Sequence, residues 1–346
     1  MSGSGKPMSR LLVLVTAVAL MCLSAVSAAS ATPVDAIGTA PRDLARPGPF
    51  VVASTAATVP CSGPGAADQN ADARRQGART PLQCTTTQPV LGGPETSVDF
   101  YYPTTAPGRR PLVVFVPGDG ANPGYFAALA RHWAGYGFVV AIAMIRHEIL
   151  PGSPFLGVRR ALAADRDPRS PVFGRVDDRS VILAGHSAGA TKAIEAAGLD
   201  GAARRGLPTP PDLALPHGVR LTAVLALQPD VHTVTAAVDA PTFTVTGDAD
   251  RTSRPGPIGS IVQDRIDGPA WFAVAHGAPH LVSVDPVATV PFTRAALAFL
   301  LATTGDVTAC RAFVGPQWSL RTDPTFVRTV RNRTAAAVTC PVGATR

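Results

Sequence analysis

Lysine is nearly absent from this 346-residue chain. It occurs only at positions 6 and 192, so arginine carries almost all of the positive charge. Aromatic residues are also scarce, at 6% of the sequence. No cluster of basic residues is interleaved with aromatic side chains, which is the pattern that favours nucleic-acid binding. We therefore interpret the net charge of +7 as an aid to solubility and expect no nucleic-acid partner.

A Cys-x-x-Cys spacing is also lacking, which argues against a metal or redox role for the cysteines. We expect neither a metal nor a cofactor. Five cysteines are present, and Cys22 lies in the N-terminal apolar run. Pairing the other four by neighbourhood predicts Cys61–Cys84 and Cys310–Cys340, although four cysteines allow three connectivities.

A long hydrophobic run is lacking at the N-terminus, where the apolar residues 11–23 are too few to span a bilayer comfortably. This run follows a basic start at Lys6 and Arg10 and is followed by small residues, and an uncleaved membrane anchor is the alternative to a cleaved signal. This pattern is typical of a secretory signal, with cleavage after Ala28 or Ala31. Removal of Cys22 leaves an even cysteine number, as expected for an exported protein with disulfides. We predict a secreted protein without stable membrane insertion.

The remaining chain is predicted to hold one domain. Residues 32–47 are rich in Ala, Pro and Arg without periodicity and predict a flexible linker. Residues 48–346 contain no internal repeat and form the one expected folded domain, with the predicted C-terminal disulfide. Residues 62–82 are polar and rich in Gly and Ala, and predict a loop tied at its base by the first cysteine pair.

Continuous apolar runs alternate with segments of helical periodicity, which predicts an α/β domain whose mostly parallel central sheet has helices on both faces. The first strand is expected at the sheet edge. The predicted strands are 97–102, 111–116, 138–145, 181–184, 221–227, 242–247 and 270–275, and the predicted helices are 125–133, part of 156–165, 188–197 and 290–302.

One stretch interrupts this alternation. Residues 199–218 are rich in proline and about 20 residues long. Connections of this length are often functional. A short lid or pocket wall and a plain surface excursion both fit the pattern.

The segment VILAGHSAGA, 181–190, places a serine directly after a predicted strand and before a predicted helix. A sharp strand–turn–helix exposes such a serine, and small residues two positions to either side let the two elements pack closely. Gly185 and Gly189 occupy these positions around Ser187. We predict Ser187 as a catalytic nucleophile and the adjacent His186 as a packing residue.

A serine nucleophile needs a base and a group that orients the base. An acid that follows in chain order is offered by Asp250, after the strand 242–247, with Asp248 as the competitor. The base is expected last, and we favour His280 over His276.

An oxyanion hole needs two N–H donors. Ala188, directly after the nucleophile, supplies one, and Gly118 or Asp119 in the loop after 111–116 supplies the other. A carboxylate beside a developing oxyanion is unfavourable unless it is paired or points away.

These motifs resemble the α/β-hydrolase superfamily. More narrowly they resemble secreted bacterial cutinase-like and polyester-hydrolase-type esterases, which are related to the platelet-activating-factor acetylhydrolase and dienelactone hydrolase groups. The resemblance covers roughly residues 95 to 340. It is carried by YYPTTAPGRRPLVVFVPG (101–118), LARHWAGYGFVVAIA (129–143), SPVFGRVDDRSVILAGHSAGA (170–190), APTFTVTGDAD (240–250) and HGAPH (276–280).

The resemblance implies an α/β-hydrolase fold, a triad of Ser187, Asp250 and His280, and an oxyanion hole at the N–H groups of Asp119 and Ala188. The sequence departs from the polyester hydrolases at three points. Asp119 stands where they carry an aromatic residue, Ala188 stands where they carry Met, and the segment LQPDVHTV lacks their tryptophan. An aromatic clamp for an aromatic polyester is therefore not expected.

Taken together, the residues predict a secreted, monomeric serine hydrolase that cleaves carboxylic esters of small molecules or lipids through an acyl-enzyme. Acyl transfer at the same site is an alternative. A non-catalytic exported protein that retains the fold is the other.

Overall fold

The computed structural model describes residues 43–86, 96–145, 152–233, 236–340 and 342. All of them fall within one compact unit, Ala36–Arg346. The predicted signal peptide and most of the predicted linker lie outside the described residues. No helix of the described part of the chain is long and apolar enough to cross a membrane.

Two sheets are present in the described ranges. Their strands are β1 (Val52–Ser54), β2 (Thr58–Pro60), β3 (Gln83–Thr85), β4 (Thr96–Pro103), β5 (Arg110–Val116), β6 (Val139–Ile145), β7 (Val176–His186), β8 (Leu221–Leu227), β9 (Thr242–Gly247), β10 (Ala270–Ala275) and β11 (Phe326–Arg331). Nine of them form the large sheet in the spatial order β1-β4-β6-β5-β7-β8-β9-β10-β11, and β2 and β3 pair with each other.

The large sheet is mostly parallel. The six strands from β6 to β10 in spatial order all run parallel, and β1, β4 and β11 add antiparallel pairs at the two sides. In β8 every residue is buried, as expected for an apolar strand covered on both faces. The carboxyl ends of the parallel strands share one edge of the sheet, where side chains from successive loops can meet.

Helices cover both faces of this sheet. The helices are α1 (Ala66–Arg75), α2 (Ala127–Gly135), α3 (Ser153–Arg166), α4 (Ala188–Arg204), α5 (Pro255–Asp264), α6 (Thr293–Thr303), α7 (Val307–Cys310) and α8 (Arg333–Ala336). Buried residues of α2 and α6 pack on one face, and those of α3, α4 and α5 pack on the other. The predicted mixed α/β architecture is confirmed, and it is compatible with an α/β-hydrolase fold.

Three sequence predictions are wrong. β4 is not an edge strand, because the three-residue strand β1 pairs with its outer side. Residues 62–82 are not simply a loop, because α1 forms within them. Residues 199–204 complete α4, so the connection to β8 begins only at Arg205. β1 is too short to show a period, and α1 has just two buried residues, so neither leaves a clear hydrophobic pattern.

Both disulfides form in the expected pairing. Cys61 bonds to Cys84 across the small sheet of β2 and β3. Cys310, at the end of α7, bonds to Cys340. The first bond closes the segment that contains α1, which lies beside the site described next.

Candidate active site

The serine of the GHSAG segment sits in a strained turn between two regular elements. β7 ends at His186 and α4 begins at Ala188. Ser187 between them has φ 54° and ψ −125°, a conformation that non-glycine residues rarely adopt. Its backbone is held on both sides, since its N–H donates to the Leu227 carbonyl (3.0 Å) and its carbonyl accepts from the Thr191 N–H (3.1 Å). The surrounding sheet therefore enforces the strain.

The two flanking glycines are required by close backbone packing. A Cβ placed on Gly185 would lie 2.4 Å from the carbonyl carbon of Gly189. A Cβ on Gly189 would lie 2.0 Å from the carbonyl oxygen of Val116, at the end of β5. Both distances are far below van der Waals contact, so the first turn of α4 can approach the strands only with glycine at these positions.

Ser187, His280 and Asp250 form an unbroken hydrogen-bonded chain. The Nε2 atom of His280 lies 3.0 Å from Ser187 Oγ, and its Nδ1 lies 3.0 Å from Asp250 Oδ2. An ionised carboxylate can only accept, so Nδ1 carries the hydrogen of the neutral ring and Nε2 is free to accept the serine proton. The geometry is thus that of a nucleophile, a base and an orienting acid.

Asp250 is buried but remains suited to carry charge. Burial alone would raise its pKa, but hydrogen bonds from His280, Ser253 N–H and Gln228 hold the pKa below its usual value. Its Oδ1 accepts from the N–H groups of Thr252 (2.9 Å) and Ser253 (2.8 Å). An ionised Asp250 can stabilise an imidazolium on His280.

His186 packs against His280 on the buried side of the site. Its ring lies between those of Phe126 and His280, with centroid distances of 5.3 Å and 4.9 Å. Its Nε2–H donates to the backbone carbonyl of His280 at 2.8 Å. Burial, assisted by repulsion from His280, lowers the pKa of His186 to about 3. The ring is therefore neutral and acts as a packing group, in agreement with the sequence-based interpretation.

The competing residues form a second aspartate–histidine pair. His276 Nδ1 lies 2.9 Å from Asp248 Oδ2, and Asp248 Oδ1 accepts from the Gly277 N–H. The His276 side chain is 75% exposed, whereas that of His280 is 7% exposed. The structure thus brings His280, not His276, to the serine.

The two N–H groups predicted as oxyanion donors belong to residues beside Ser187. Ala188 is the first residue of α4, and Gly118 packs so closely that a Cβ on it would lie 3.1 Å from the Cβ of Ser187. Within the described ranges, neither the N–H of Asp119 nor that of Ala188 has a hydrogen-bond acceptor. The Asp119 side chain itself is exposed and lines the cleft.

Ser187 opens into a cleft of about 220 Å³. Its lining combines carboxylates, amides and a few apolar side chains, and includes neither lysine nor arginine among the residues described. The lining residues are Gln69, Asp72, Ala73, Gln76, Leu82, Gly118, Asp119, Gly120, Ala121, Tyr125, His186, Ser187, His280 and Leu281.

One wall of this cleft is the segment that the sequence predicted as a loop. α1 supplies Gln69, Asp72 and Ala73 to the lining. The segment also packs beside His280, because Gly77 lies so close to Pro279 that a Cβ would be 2.2 Å from Pro279 Cγ. A helix with polar residues on its cleft side leaves only a weak hydrophobic pattern in the sequence. That α1 lines the cleft is therefore visible only from its contacts with distant parts of the chain.

The described residues contain no group of three or more potential metal ligands. The Ser187 site consists of a serine hydroxyl, an imidazole, a carboxyl group and neighbouring backbone N–H groups. No protein-family model matches the chain, and no curated protein shows significant similarity to it.

Proposed function

We propose that this protein is a serine hydrolase of the α/β-hydrolase superfamily that cleaves carboxylic esters. The observation that carries the proposal is the chain from Ser187 Oγ through His280 to Asp250, with both links at 3.0 Å. The strained serine at the strand–helix turn supports the same conclusion, because this conformation aims Oγ away from the sheet and towards a substrate.

In the proposed reaction Ser187 Oγ attacks the ester carbonyl carbon while His280 Nε2 takes the hydroxyl proton. His280 then gives this proton to the departing alkoxide, leaving an acyl-enzyme. A water molecule loses its proton to His280 and attacks the acyl carbon, and the proton returns to Ser187 as the acid is released. Asp250 stabilises the imidazolium in both halves of the reaction.

The tetrahedral intermediates place negative charge near the start of α4. The N–H of Ala188 and that of Asp119 would donate to this oxygen, and the N-terminal dipole of α4 adds a favourable field. The carboxylates of Asp72 and Asp119 line the same cleft. They repel a negatively charged substrate, so we propose neutral esters with a small buried part as the substrates.

We also propose that the protein is secreted and acts as a cutinase-like esterase without an aromatic clamp. The two disulfides support an oxidising compartment. The signal-like residues 1–31 support export. Asp119 and Ala188, in place of an aromatic residue and methionine, support a preference for esters smaller than an aromatic polymer.

The test is labelling by a fluorophosphonate probe, together with hydrolysis of a panel of short and long p-nitrophenyl esters. The protein is used with its disulfides oxidised. We expect the wild-type protein to be labelled and to release p-nitrophenol, and Ser187→Ala to do neither. Asp248→Asn is the control, because it changes a nearby carboxyl group that is not hydrogen-bonded to Ser187 or His280. Equal labelling of the wild-type protein and Ser187→Ala would sink the proposal.

A further inference from the structure

Gln228 stands at a point where the loops of the proposed triad meet. It directly follows β8, and its side chain is wholly buried. Its φ of 53° lies in the left-handed region, where a residue with a side chain is uncommon. Observed backbone strain of this kind is retained only where the surroundings enforce it and is concentrated at functional sites.

Both hydrogens of the Gln228 amide are directed into the site. Nε2 donates to Asp250 Oδ2 at 2.6 Å and to the carbonyl of Pro279 at 2.9 Å. Asp250 is the proposed acid, and Pro279 immediately precedes the proposed base. One side chain therefore joins the acid's loop to the base's loop.

The backbone of Gln228 is held by the same neighbourhood. Its carbonyl accepts from Ser253 Oγ at 2.5 Å, and its N–H donates to the Val245 carbonyl at 2.7 Å. The residue before it, Leu227, accepts from the N–H of Ser187. Positions 227 and 228 thus contact the loops that carry all three members of the chain.

We propose that Gln228 is a positioning residue that fixes the Asp250 carboxylate and the loop of His280 in register for proton transfer. The inference rests on the proposed function. His280 and Gln228 share one carboxylate oxygen, Oδ2, while Oδ1 is held by two backbone N–H groups. The carboxylate is thereby fixed in its plane, and Nδ1 of His280 meets an oxygen whose position cannot drift.

The proposal has a pH signature that a purely structural role lacks. The Gln228 donor stabilises the charged form of Asp250, so its loss raises the pKa of that carboxyl, and the burial of Asp250 adds to the rise. In the described chain the titratable groups that face this carboxyl are His280 and, behind its ring, His186. Because His186 stays neutral, the acidic limb of the activity profile reports the Asp250–His280 pair.

The experiment replaces Gln228 with methionine, which has nearly the same volume and no donor. Thr244→Val is the matched control, because it also changes a fully buried polar side chain, on the neighbouring strand β9, whose hydroxyl makes no hydrogen bond to the proposed triad. kcat, KM and the pH–rate profile are measured on a p-nitrophenyl ester, and thermal unfolding is followed for each protein. Proton NMR records the downfield signal of the hydrogen between His280 and Asp250.

We expect Gln228→Met to lower kcat about 10- to 100-fold, as for loss of a hydrogen bond to a charged group, with little change in KM. We also expect the acidic limb to move to higher pH and the downfield signal to shift or broaden. Thr244→Val should leave the limb and signal in place. A Gln228→Met enzyme with wild-type limb, signal and kcat within twofold would overturn the proposal.

Two further readings keep the result decisive. If Gln228→Met does not fold, Gln228→Asn replaces it, because asparagine tolerates a positive φ and its amide is one methylene short of the Gln228 position. An upward move of the limb then supports the proposal, and an unchanged limb overturns it. If the wild-type protein hydrolyses no ester and reacts with no probe, the proposed function fails. The NMR signal, which needs no substrate, then still shows whether Gln228 holds Asp250 against His280.

Discussion

Two aspartate–histidine pairs arise from the same two loops, at the carboxyl ends of the neighbouring strands β9 and β10. Their hydrogen bonds have almost the same length, 2.9 Å for Asp248–His276 and 3.0 Å for Asp250–His280. They differ in exposure. The Asp250–His280 pair, called the inner pair below, is nearly inaccessible. In the outer pair, Asp248–His276, the histidine side chain is three-quarters exposed.

The comparison shows that the length of such a hydrogen bond does not identify a catalytic pair. Water competes for the outer pair and screens its charges, so it adds little to stability or chemistry. The inner pair is shielded, its carboxylate accepts three further hydrogen bonds from protein donors, and its histidine reaches a serine hydroxyl. The two pairs differ in burial and in the serine hydroxyl that only His280 reaches, and not in the length of the aspartate–histidine hydrogen bond.

The largest expected effect comes from Asp250→Asn. Two backbone N–H groups donate to Oδ1 of Asp250, so the amide oxygen of the asparagine takes that place. Its NH₂ group then faces His280 Nδ1 and the Gln228 donor. The histidine is driven into the wrong tautomer, with Nε2–H towards Ser187. We expect kcat to fall about 10³- to 10⁴-fold, measured on a short p-nitrophenyl ester.

Asp248→Asn is the matched control for this change. It makes the same substitution two residues away, in the outer pair. The rate of fluorophosphonate inactivation should fall with kcat in Asp250→Asn and stay near wild type in Asp248→Asn. An Asp250→Asn enzyme within tenfold of wild-type kcat would remove the distinction between the pairs.

Sequence reasoning identified the inner pair because chain order and strand ends restrict an acid and a base to short loops. The continuous apolar runs of β5 to β10 located those ends well. Gln228 was missed, since nothing in its local pattern shows that a side chain after β8 will reach Asp250, 22 positions later. The wall around α1 was missed for a similar reason: contacts such as Leu281 N–H to the Gln76 carbonyl join distant parts of the chain.

The cleft wall around α1 is a further difference between the two histidines, because it packs on Pro279, directly before His280. Removing the disulfide Cys61–Cys84 by a double serine substitution should loosen the wall. The control is the same change at Cys310–Cys340, whose sequence separation of 30 is close to the 23 of the first bond. On the chain-entropy model each loss costs about 3 kcal/mol of unfolding free energy.

Only the first disulfide variant should alter catalysis. We expect kcat/KM to fall about 5- to 20-fold in Cys61→Ser/Cys84→Ser, as a misplaced base and an incomplete cleft wall would cause. The Cys310→Ser/Cys340→Ser enzyme should keep its kcat/KM at temperatures where it is folded, as judged by circular dichroism. Equal losses in both variants would show that the wall contributes to stability alone.

The smallest effect is expected at the outer pair. His276→Ala removes an exposed imidazole whose partner, Asp248, keeps the hydrogen bond from the Gly277 N–H. Burial raises the pKa of Asp248, but the hydrogen bonds from His276 and Gly277 together with the charge of His276 outweigh it, and the pKa is lowered. Deleting His276 therefore removes one hydrogen-bond partner from the Asp248 carboxylate, which remains in contact with solvent. The unfolding free energy should change by about 0.5 kcal/mol or less.

Activity provides the sharper measurement of the outer pair. Among the described residues His276 makes no hydrogen bond or ion pair with Ser187, His280 or Asp250. We therefore expect kcat to stay within twofold of wild type and the acidic limb of the pH–rate profile to stay in place. A tenfold loss of kcat in His276→Ala would contradict this, because it would mean that protons reach His280 through the exposed pair. The site would then extend to the surface, and burial alone would no longer distinguish the two histidines.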